Sequence, residues 1–365
     1  MAKKKATKDK KVTNDDMFTS AEEAMQECIN LSVIPTSPSI DIKLGGGIPE
    51  GSFVLIRSRP KVGKTSLVMQ IVQNALEQGR KVVFVDAERR LTGYKYFQVR
   101  GFDIKNPKFK ILRSKKGKIL SGEEIYFEVI AMMKNPEYAG ALFVIDSFSR
   151  IVGQETLDDP NVRADRRDTG PKLNEDFCKK VGNLLRVNRC VLIGVQHMMT
   201  DTSPMGMGKL IPKGGNGLEY DADIVLESRH RQLGLNGESI AMAKDEDELT
   251  GQMARWDLPY NKLLAPYVSK ENDQKILNYF LFGEGVWWAK EALPVLEELG
   301  LLVRGGAWYT FTTDQVDKKV QGTDNAIELI NENREYFQKI IQEHYTATYE
   351  VSFEFVPPEL EESVA

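Results

Sequence analysis

The chain has 365 residues, 41% of them hydrophobic, enough to bury a large core in one major domain with smaller additions. A net charge of −4 and a pI near 5.7 exclude a globally basic coat, so contact with a polyanion must come from local clusters. Cys28, Cys178 and Cys190 are odd in number and lack metal-ligand spacing, which favours free thiols in a reducing compartment over a zinc site. The charged start has no apolar segment behind it, and no apolar run reaches about 18 residues. The expectation is a soluble cytoplasmic protein with no membrane partner.

In chain order, residues 1–16 are lysine-rich without periodicity, a basic arm that reads either as a solvated tail or as a DNA contact. From Thr19 the spacing predicts a helix: Ser20 caps it, Glu23 completes a capping box, and Ala24, Cys28 and Leu31 share a face until Pro35. A glycine-rich turn, Gly45–Gly47 with Pro49 and Gly51, then leads into the strand Phe53–Ile56. Next comes SRPKVGKT, Ser58–Thr65, followed by a helix over Thr65–Gln78 that Gly79 stops. The pattern G-x-x-x-x-G-K-[ST] works because backbone N–H groups curl around phosphates, the lysine neutralises them and the hydroxyl ligates Mg²⁺. Gly63, Lys64 and Thr65 are in place, whereas Ser58 stands where the first glycine belongs. GKT alone also reads as a surface turn; the strand before it and the helix after it favour a nucleotide site formed by Ser58, Arg59, Pro60, Lys61, Val62, Gly63, Lys64, Thr65 and Ser66.

A second strand, Val82–Val85, ends in Asp86-Ala87-Glu88. After a helix over residues 123–134, a third strand, Ala141–Ile145, closes on Asp146. An acid at such a strand end can hold the water shell of Mg²⁺ beside Thr65. Residues 153–171 show no periodicity and carry Arg163, Arg166 and Arg167 among acidic residues. A helix over Leu173–Arg186 and a strand over Val191–Val195 lead to Gln196-His197 and a second irregular loop, 198–213, rich in Met and Gly with Lys209 and Lys213. Two basic loops leaving the nucleotide edge of one sheet point to a polymer threading past an ATP site. A strand at Ile224–Glu227 follows, and beyond Gly283-Glu284-Gly285 a small helical and hairpin domain ends in a helix over Ala326–Tyr345.

These stretches together resemble the RecA family of DNA recombinases. SRPKVGKTS resembles its P-loop, FVDAERR the strand bearing its catalytic glutamate, FVIDSFSRI its Walker B strand and VLIGVQH the strand before its second DNA-binding loop. GGNGLEYDADIVLESRHR, NKLLAPY, LFGEGVWW and LGLLVRGGAWYTF resemble later segments, so the likeness runs in unbroken order over residues 36–345. It implies an α/β fold: a RecA-like P-loop ATPase core with a mostly parallel central sheet, a short N-terminal helix and a small α+β C-terminal domain. The implied division is residues 1–35 as basic arm and oligomerisation helix, 36–285 as core, 286–350 as C-terminal domain and 351–365 as acidic tail.

Carried over by position, the resemblance gives Lys64 the β- and γ-phosphates, Thr65 and Asp146 the Mg²⁺, and Glu88 the attacking water. Glu88 also reads as a capping or surface acid, and Gln196, the implied γ-phosphate sensor, as an ordinary strand-end amide. Tyr96 matches the adenine-stacking tyrosine counted back from Gly101, and Tyr94 counted forward from Glu88. DNA contacts would come from Arg163, Arg166 and Arg167, which Asp158, Asp159, Asp165 and Asp168 can also pair, and from Met205, Gly206, Met207, Gly208, Lys209 and Lys213. Met205 and Met207 read either as wedges between bases or as packing at a subunit contact.

Two departures stand out. A serine at position 58 is strained if that backbone needs φ > 0. Of two lysines that reach the neighbouring subunit's ATP, NKLLAPY keeps Lys262 and places Tyr260 at the other. The departures point to a divergent member and allow a viral source, with the host cytoplasm as its location. The implied function is an ATP- and Mg²⁺-dependent recombinase forming helical homo-oligomeric filaments on single-stranded DNA and exchanging strands with homologous double-stranded DNA. A RecA-fold hexameric helicase and a weakly ATP-binding filament or mediator protein are the alternatives.

Overall fold

Apolar runs that do not alternate, such as FVLI, VVFV and LFVI, are satisfied by strands buried on both faces. The computed structural model joins them in one sheet and describes residues 18–26, 31–91, 99–161, 169–201, 208–215, 217–230, 232–239, 250–263 and 275–357. The first part of the chain forms α1 (Ala21–Gln26), β1 (Val33–Ile34), α2 (Pro38–Leu44), β2 (Ile48–Pro49), β3 (Phe53–Ser58), α3 (Lys64–Glu77), β4 (Val82–Asp86), β5 (Phe109–Leu112) and α4 (Gly122–Lys134). The middle forms β6 (Leu142–Asp146), α5 (Gln154–Asp158), α6 (Gly170–Val187), β7 (Val191–Thr200), β8 (Leu210–Pro212), α7 (Gly217–Asp221), β9 (Ile224–Ser228), β10 (Gly251–Asn261), β11 (Ile276–Leu281) and β12 (Gly285–Val286). The last part forms α8 (Trp288–Glu298), β13 (Leu302–Gly305), β14 (Trp308–Thr312), β15 (Asp317–Gln321), α9 (Thr323–Glu332) and α10 (Arg334–Tyr349).

The strand order of the central sheet is β12-β11-β10-β9-β3-β7-β6-β4-β5, with β8 beside β7. β9, β3, β7, β6, β4 and β5 run parallel, and β10 to β12 add an antiparallel flank. The expected mixed α/β fold with a mostly parallel sheet is therefore observed. Alternate residues of each strand enter different cores. Val54, Ile56, Val144 and Ile193 pack under Leu67, Val68, Ile71 and Val72 of α3, while Phe53, Leu55, Phe143 and Leu192 pack under Ile125 and Val129 of α4 and Phe177 and Val181 of α6. Cys178 and Cys190 are buried free thiols. Among the described residues no helix is long and apolar enough to cross a membrane.

Four local expectations are corrected. The helix expected up to Pro35 covers Ala21–Gln26, and Val33–Ile34 is a buried strand against Ile48–Pro49. The turn before β3 is preceded by α2, whose Pro38 at the N-terminus supplies a preset φ. Residues 153–171 and 198–213 are not irregular throughout: Gln154–Asp158 is helical, α6 starts at Gly170 rather than Leu173, and β7 runs to Thr200 and pairs with β8. The final helix breaks at Asn333, whose side-chain amide bonds the Leu329 carbonyl at 2.9 Å and competes with the backbone ladder.

The C-terminal unit packs α8, α9 and α10 on the antiparallel sheet β13-β14-β15 around Leu296, Phe311, Ile330 and Phe337. Its joint to the large sheet holds two buried carboxyls. Glu291 accepts from Asn278 Nδ2 and the Tyr279 N–H, each at 2.7 Å, and from Ser39 Oγ at 2.6 Å. Asp41 accepts from the N–H and hydroxyl of Thr36 at 2.8 and 2.7 Å. The segment after α10 returns to the core: Ser352 O accepts from the Val33 N–H at 2.8 Å, and Phe355 lies under the Arg80 guanidinium at 4.1 Å.

Burial holds the Asp41 and Glu291 carboxyls above the ordinary range, Asp41 most strongly, with Glu291 adding like-charge repulsion. A raised folded pKa gives stability that is complete below the unfolded carboxyl range and lost as pH rises through the folded value. Asp41→Asn keeps the acceptor that Thr36 uses and cannot ionise. Relative to the wild type it is expected to gain stability as pH rises from acid to neutral, measured by urea midpoints; parallel profiles would show that the carboxyl at residue 41 carries none of this linkage.

Candidate nucleotide site

β3 is flanked by β7 and β9, so its exit is fixed by two ladders in which Ser58 pairs with His197 and with Ser228. The chain then turns through residues 59–63, with positive φ at Lys61 (65°) and Gly63 (107°), and enters α3 at Lys64. Ser58 is the last residue of a strand and does not belong to the positive-φ set, so the strain considered above for its side chain is absent. Its hydroxyl lies 3.0 Å from Lys64 Nζ, which also donates to the carbonyls of Ser58 at 3.1 Å and Arg59 at 2.9 Å. Val62 is buried in the core and pins the loop from below, while Arg59, Pro60, Lys61 and Ser66 line its less buried side. Gly63 has no room for a side chain, because a Cβ there would meet Gln252 Nε2 at 2.8 Å.

Lys64 is buried, and desolvation lowers its ammonium pKa to about 8, partly offset by Asp146 and Glu88. Thr65 Oγ1 donates to Asp146 Oδ2 at 3.2 Å, which joins a hydroxyl and a carboxylate across the end of β6. Asp86, opposite Asp146 in the β4–β6 ladder, accepts from the N–H groups of Arg90 and Leu91 at 2.9 and 3.0 Å and shapes the turn that carries Glu88. The fit to a Mg²⁺–nucleotide rests on donor chemistry. The N-cap of α3 is a glycine that offers no side chain to the first N–H groups, a cation stands beside them, and hard oxygen donors lie next to that. Mg²⁺ sites on nucleotides use one or two protein oxygens plus phosphates, and among the described residues no cluster of three or more His, Cys, Asp or Glu is poised to hold a metal.

Glu88 lies in a network that sequence reading missed. Its Oε1 accepts from His197 Nε2 at 2.9 Å and Ser147 Oγ at 3.1 Å with Arg150 Nε at 3.6 Å, and its Oε2 faces Arg90 Nη1 at 3.2 Å. The hydrogen bond from His197, ahead of those from Ser147 and the pairing with Arg90, lowers the carboxyl pKa to about 2. His197 had one visible signal, its place one residue beyond Gln196, but which strand end it would oppose lies in the register.

Gln196 is buried and turned toward the second loop, its Nε2 donating to the carbonyls of Gly215 at 2.8 Å and Lys213 at 3.3 Å. Ser149 Oγ donates to the same Lys213 carbonyl at 2.9 Å. Asn174 of α6 donates to the carbonyls of Phe148 and Gly214, both at 3.2 Å. The foot of the second loop is thereby tied to the turn after β6 and to the helix that follows the first loop. Gly208, Lys209 and Lys213 are exposed along this ribbon. Tyr96, with Tyr94, and Arg163, Arg166, Arg167, Met205, Gly206 and Met207 lie outside the described residues. Lys262 is not brought to the phosphate loop. It follows β10 beside the start of β9, donating to the Tyr220 carbonyl at 2.7 Å, at the end of the sheet opposite Ser58. A second missed feature is the buried Arg57, which pairs with Glu227 and Glu219 and so joins β3 to β9 and α7.

A lysine-bearing loop between a central parallel strand and a helix, with acids at the neighbouring strand ends, defines a P-loop nucleoside triphosphatase fold. Comparison with known proteins narrows the class. The model of the RecA N-terminal domain matches residues 6–286, and the chain belongs to the RecA family. It is 27% identical over 309 residues to the RecA protein of Nostoc sp., covering 84% of this chain and 77% of that one. It is 26% identical to RecA of Oleidesulfovibrio alaskensis, covering 86% and 83%, and 28% identical to RecA of Streptomyces ambofaciens, covering 85% and 76%.

The depressed Glu88 carboxyl has a stability consequence. Its stabilisation is present above the ordinary value of 4.5 and is lost as pH falls toward about 2. Glu88→Gln is therefore expected to be less stable than the wild type at neutral pH, with the gap narrowing as pH drops through that window. Urea midpoints would check it; a gap independent of pH would refute the linkage.

Proposed function

We propose that the protein is an ATP-dependent homologous recombinase, which polymerises as a helical filament on single-stranded DNA and exchanges strands with homologous duplex. The observation that carries this reading is the shared edge. Lys64, Thr65, Asp146 and Glu88 gather at the strand ends from which both basic loops leave, and Gln196, Ser149 and Asn174 tie the second loop's foot to that edge. ATP, when bound, supplies the phosphoryl group to be transferred and Mg²⁺ the counter-charge. Lys64 and the N-terminus of α3 would hold the phosphates, Thr65 and Asp146 the Mg²⁺, and Gln196 would report the γ-phosphate to the loop. Glu88 would take the proton from the attacking water, a role that needs a carboxylate with a free lone pair. Tyr96 would stack on the adenine. Lys262 stands at the sheet end away from its own phosphate loop, which suits donation to the next subunit's nucleotide.

DNA phosphates would be met by Arg163, Arg166, Arg167, Lys209 and Lys213, with the backbone at Gly206 and Gly208 and the side chains of Met205 and Met207 against bases. Base pairing, rather than side chains, would read sequence. The cytoplasm is the proposed location. The alternative of a weak ATP binder drew its support from a strained Ser58, and the extended backbone there withdraws it.

Electron microscopy with single-stranded DNA and a slowly hydrolysed ATP analogue tests the reading. Helical filaments are expected, absent for Lys64→Ala; rings would favour a hexameric helicase, and filaments unchanged by Lys64→Ala would sink the phosphate role. Glu88→Gln is expected to form filaments yet hydrolyse ATP about 10²–10⁴-fold more slowly. Removing the charges of Arg166 and Arg167 should lower the salt slope of single-strand binding by about 0.7 for each phosphate no longer neutralised; an unaltered slope would assign those arginines to internal ion pairs.

A further inference from the structure

Gln196 and His197 are adjacent on one strand, so their side chains leave opposite faces of the sheet. Gln196 points with Leu192 toward α6 and holds the carbonyls of the second loop's foot. His197 points with Val195 toward α3 and holds Glu88. The backbone of His197 is itself part of the foot: its carbonyl accepts from the Lys213 N–H at 2.8 Å and its N–H donates to Ser149 Oγ at 2.9 Å. One residue thus touches the candidate base with its side chain and the loop with its main chain.

The imidazole is secured on one side only. An ionised carboxylate accepts and cannot donate, so Nε2 carries the proton of the Glu88 bond. Nδ1 is buried without a hydrogen-bond partner, and about a quarter of the side chain, 26%, is exposed. A ring fixed at one nitrogen beside a solvent opening can turn away once its single partner lets go. While it stays, the carboxylate is a poor base, because His197 and Ser147 occupy Oε1 and Arg90 faces Oε2. Proton-accepting power falls as the pKa drops far below the working pH.

We propose that His197 is a positioning residue that restrains Glu88 until single-stranded DNA engages the second loop, and that movement of the foot at Lys213 then withdraws the imidazole and frees the carboxylate. The inference rests on reading Glu88 as the base and residues 198–213 as a DNA-binding loop. It gives DNA a route to hydrolysis separate from the Gln196 route, through the opposite face of the same strand.

The chain has three histidines, His197, His230 and His344, so imidazole NMR signals are few, and the one absent from His197→Gln belongs to His197. With oligothymidylate and no nucleotide, the His197 signal is expected to move toward its position in DNA-free Glu88→Gln, while that of His344 stays. DNA bound by fluorescence anisotropy with the His197 signal unmoved overturns the inference and leaves the recombinase reading intact. Failure to bind DNA at low salt overturns both. In hydrolysis assays His197→Phe is expected to raise the DNA-independent rate about tenfold or more and bring the DNA stimulation ratio toward one. His197→Gln, which still offers a donor to Glu88, is expected to restore a ratio near that of the wild type. A His197→Phe protein with unchanged basal rate and ratio also overturns the inference, and if that variant does not fold, the NMR comparison on the wild type and Glu88→Gln decides alone.

Discussion

The parallel pairing of β3 with β7 and β9 is the constraint that sets the geometry of the site. With apolar cores on both faces of the sheet, polar side chains find partners at the strand ends, and the register decides which ends meet. Asp86 lies opposite Asp146, Arg57 opposite Gln196 and Ser58 opposite His197. A slip of one residue would carry His197 to the α6 face and Gln196 to the phosphate face, exchanging their contacts. The close approach of Gly194 to Phe148, where a Cβ would come within 2.4 Å, and the cross-strand pairing of Arg57 with Glu227 both oppose such a slip.

Arg57 and Glu227 are among the most buried charged groups in the core. Placing two ions there costs several kcal/mol of hydration that their attraction only partly returns, so stability alone is a weak reason for them. Their effect is positional: Arg57 reaches Glu219 of α7, the helix that receives the chain after the second loop. The loop is therefore anchored at its foot by Gln196, Ser149 and Asn174 and further along by Arg57, while its ribbon pairs β7 with β8. The core–C-terminal joint follows the same logic, with Asp41 and Glu291 buried among hydroxyl and amide donors rather than cations.

Features encoded by neighbouring residues were legible in the chain before folding was considered. The apolar runs marked the strands of the parallel sheet, Gly79 the end of α3, the order of motifs the P-loop core, and GGAWY with its flanks the small C-terminal sheet. Lys64, Thr65, Asp146 and Glu88 could be picked out because each stands at a strand end or a strand-to-helix turn, where local patterning changes. Other features exist only once the sheet has assembled. The contact from His197 to Glu88 joins positions 109 apart in the chain and that from Arg57 to Glu227 positions 170 apart, both fixed by strand register. Val33–Ile34 is a strand because Ile48–Pro49 lies beside it, and Ser58 is unstrained because two ladders hold it extended. Periodicity and turn chemistry act over a few residues, whereas which strand ends face each other depends on packing of the whole sheet. That packing joins the phosphate loop and the foot of the second loop through two adjacent side chains on opposite faces of β7.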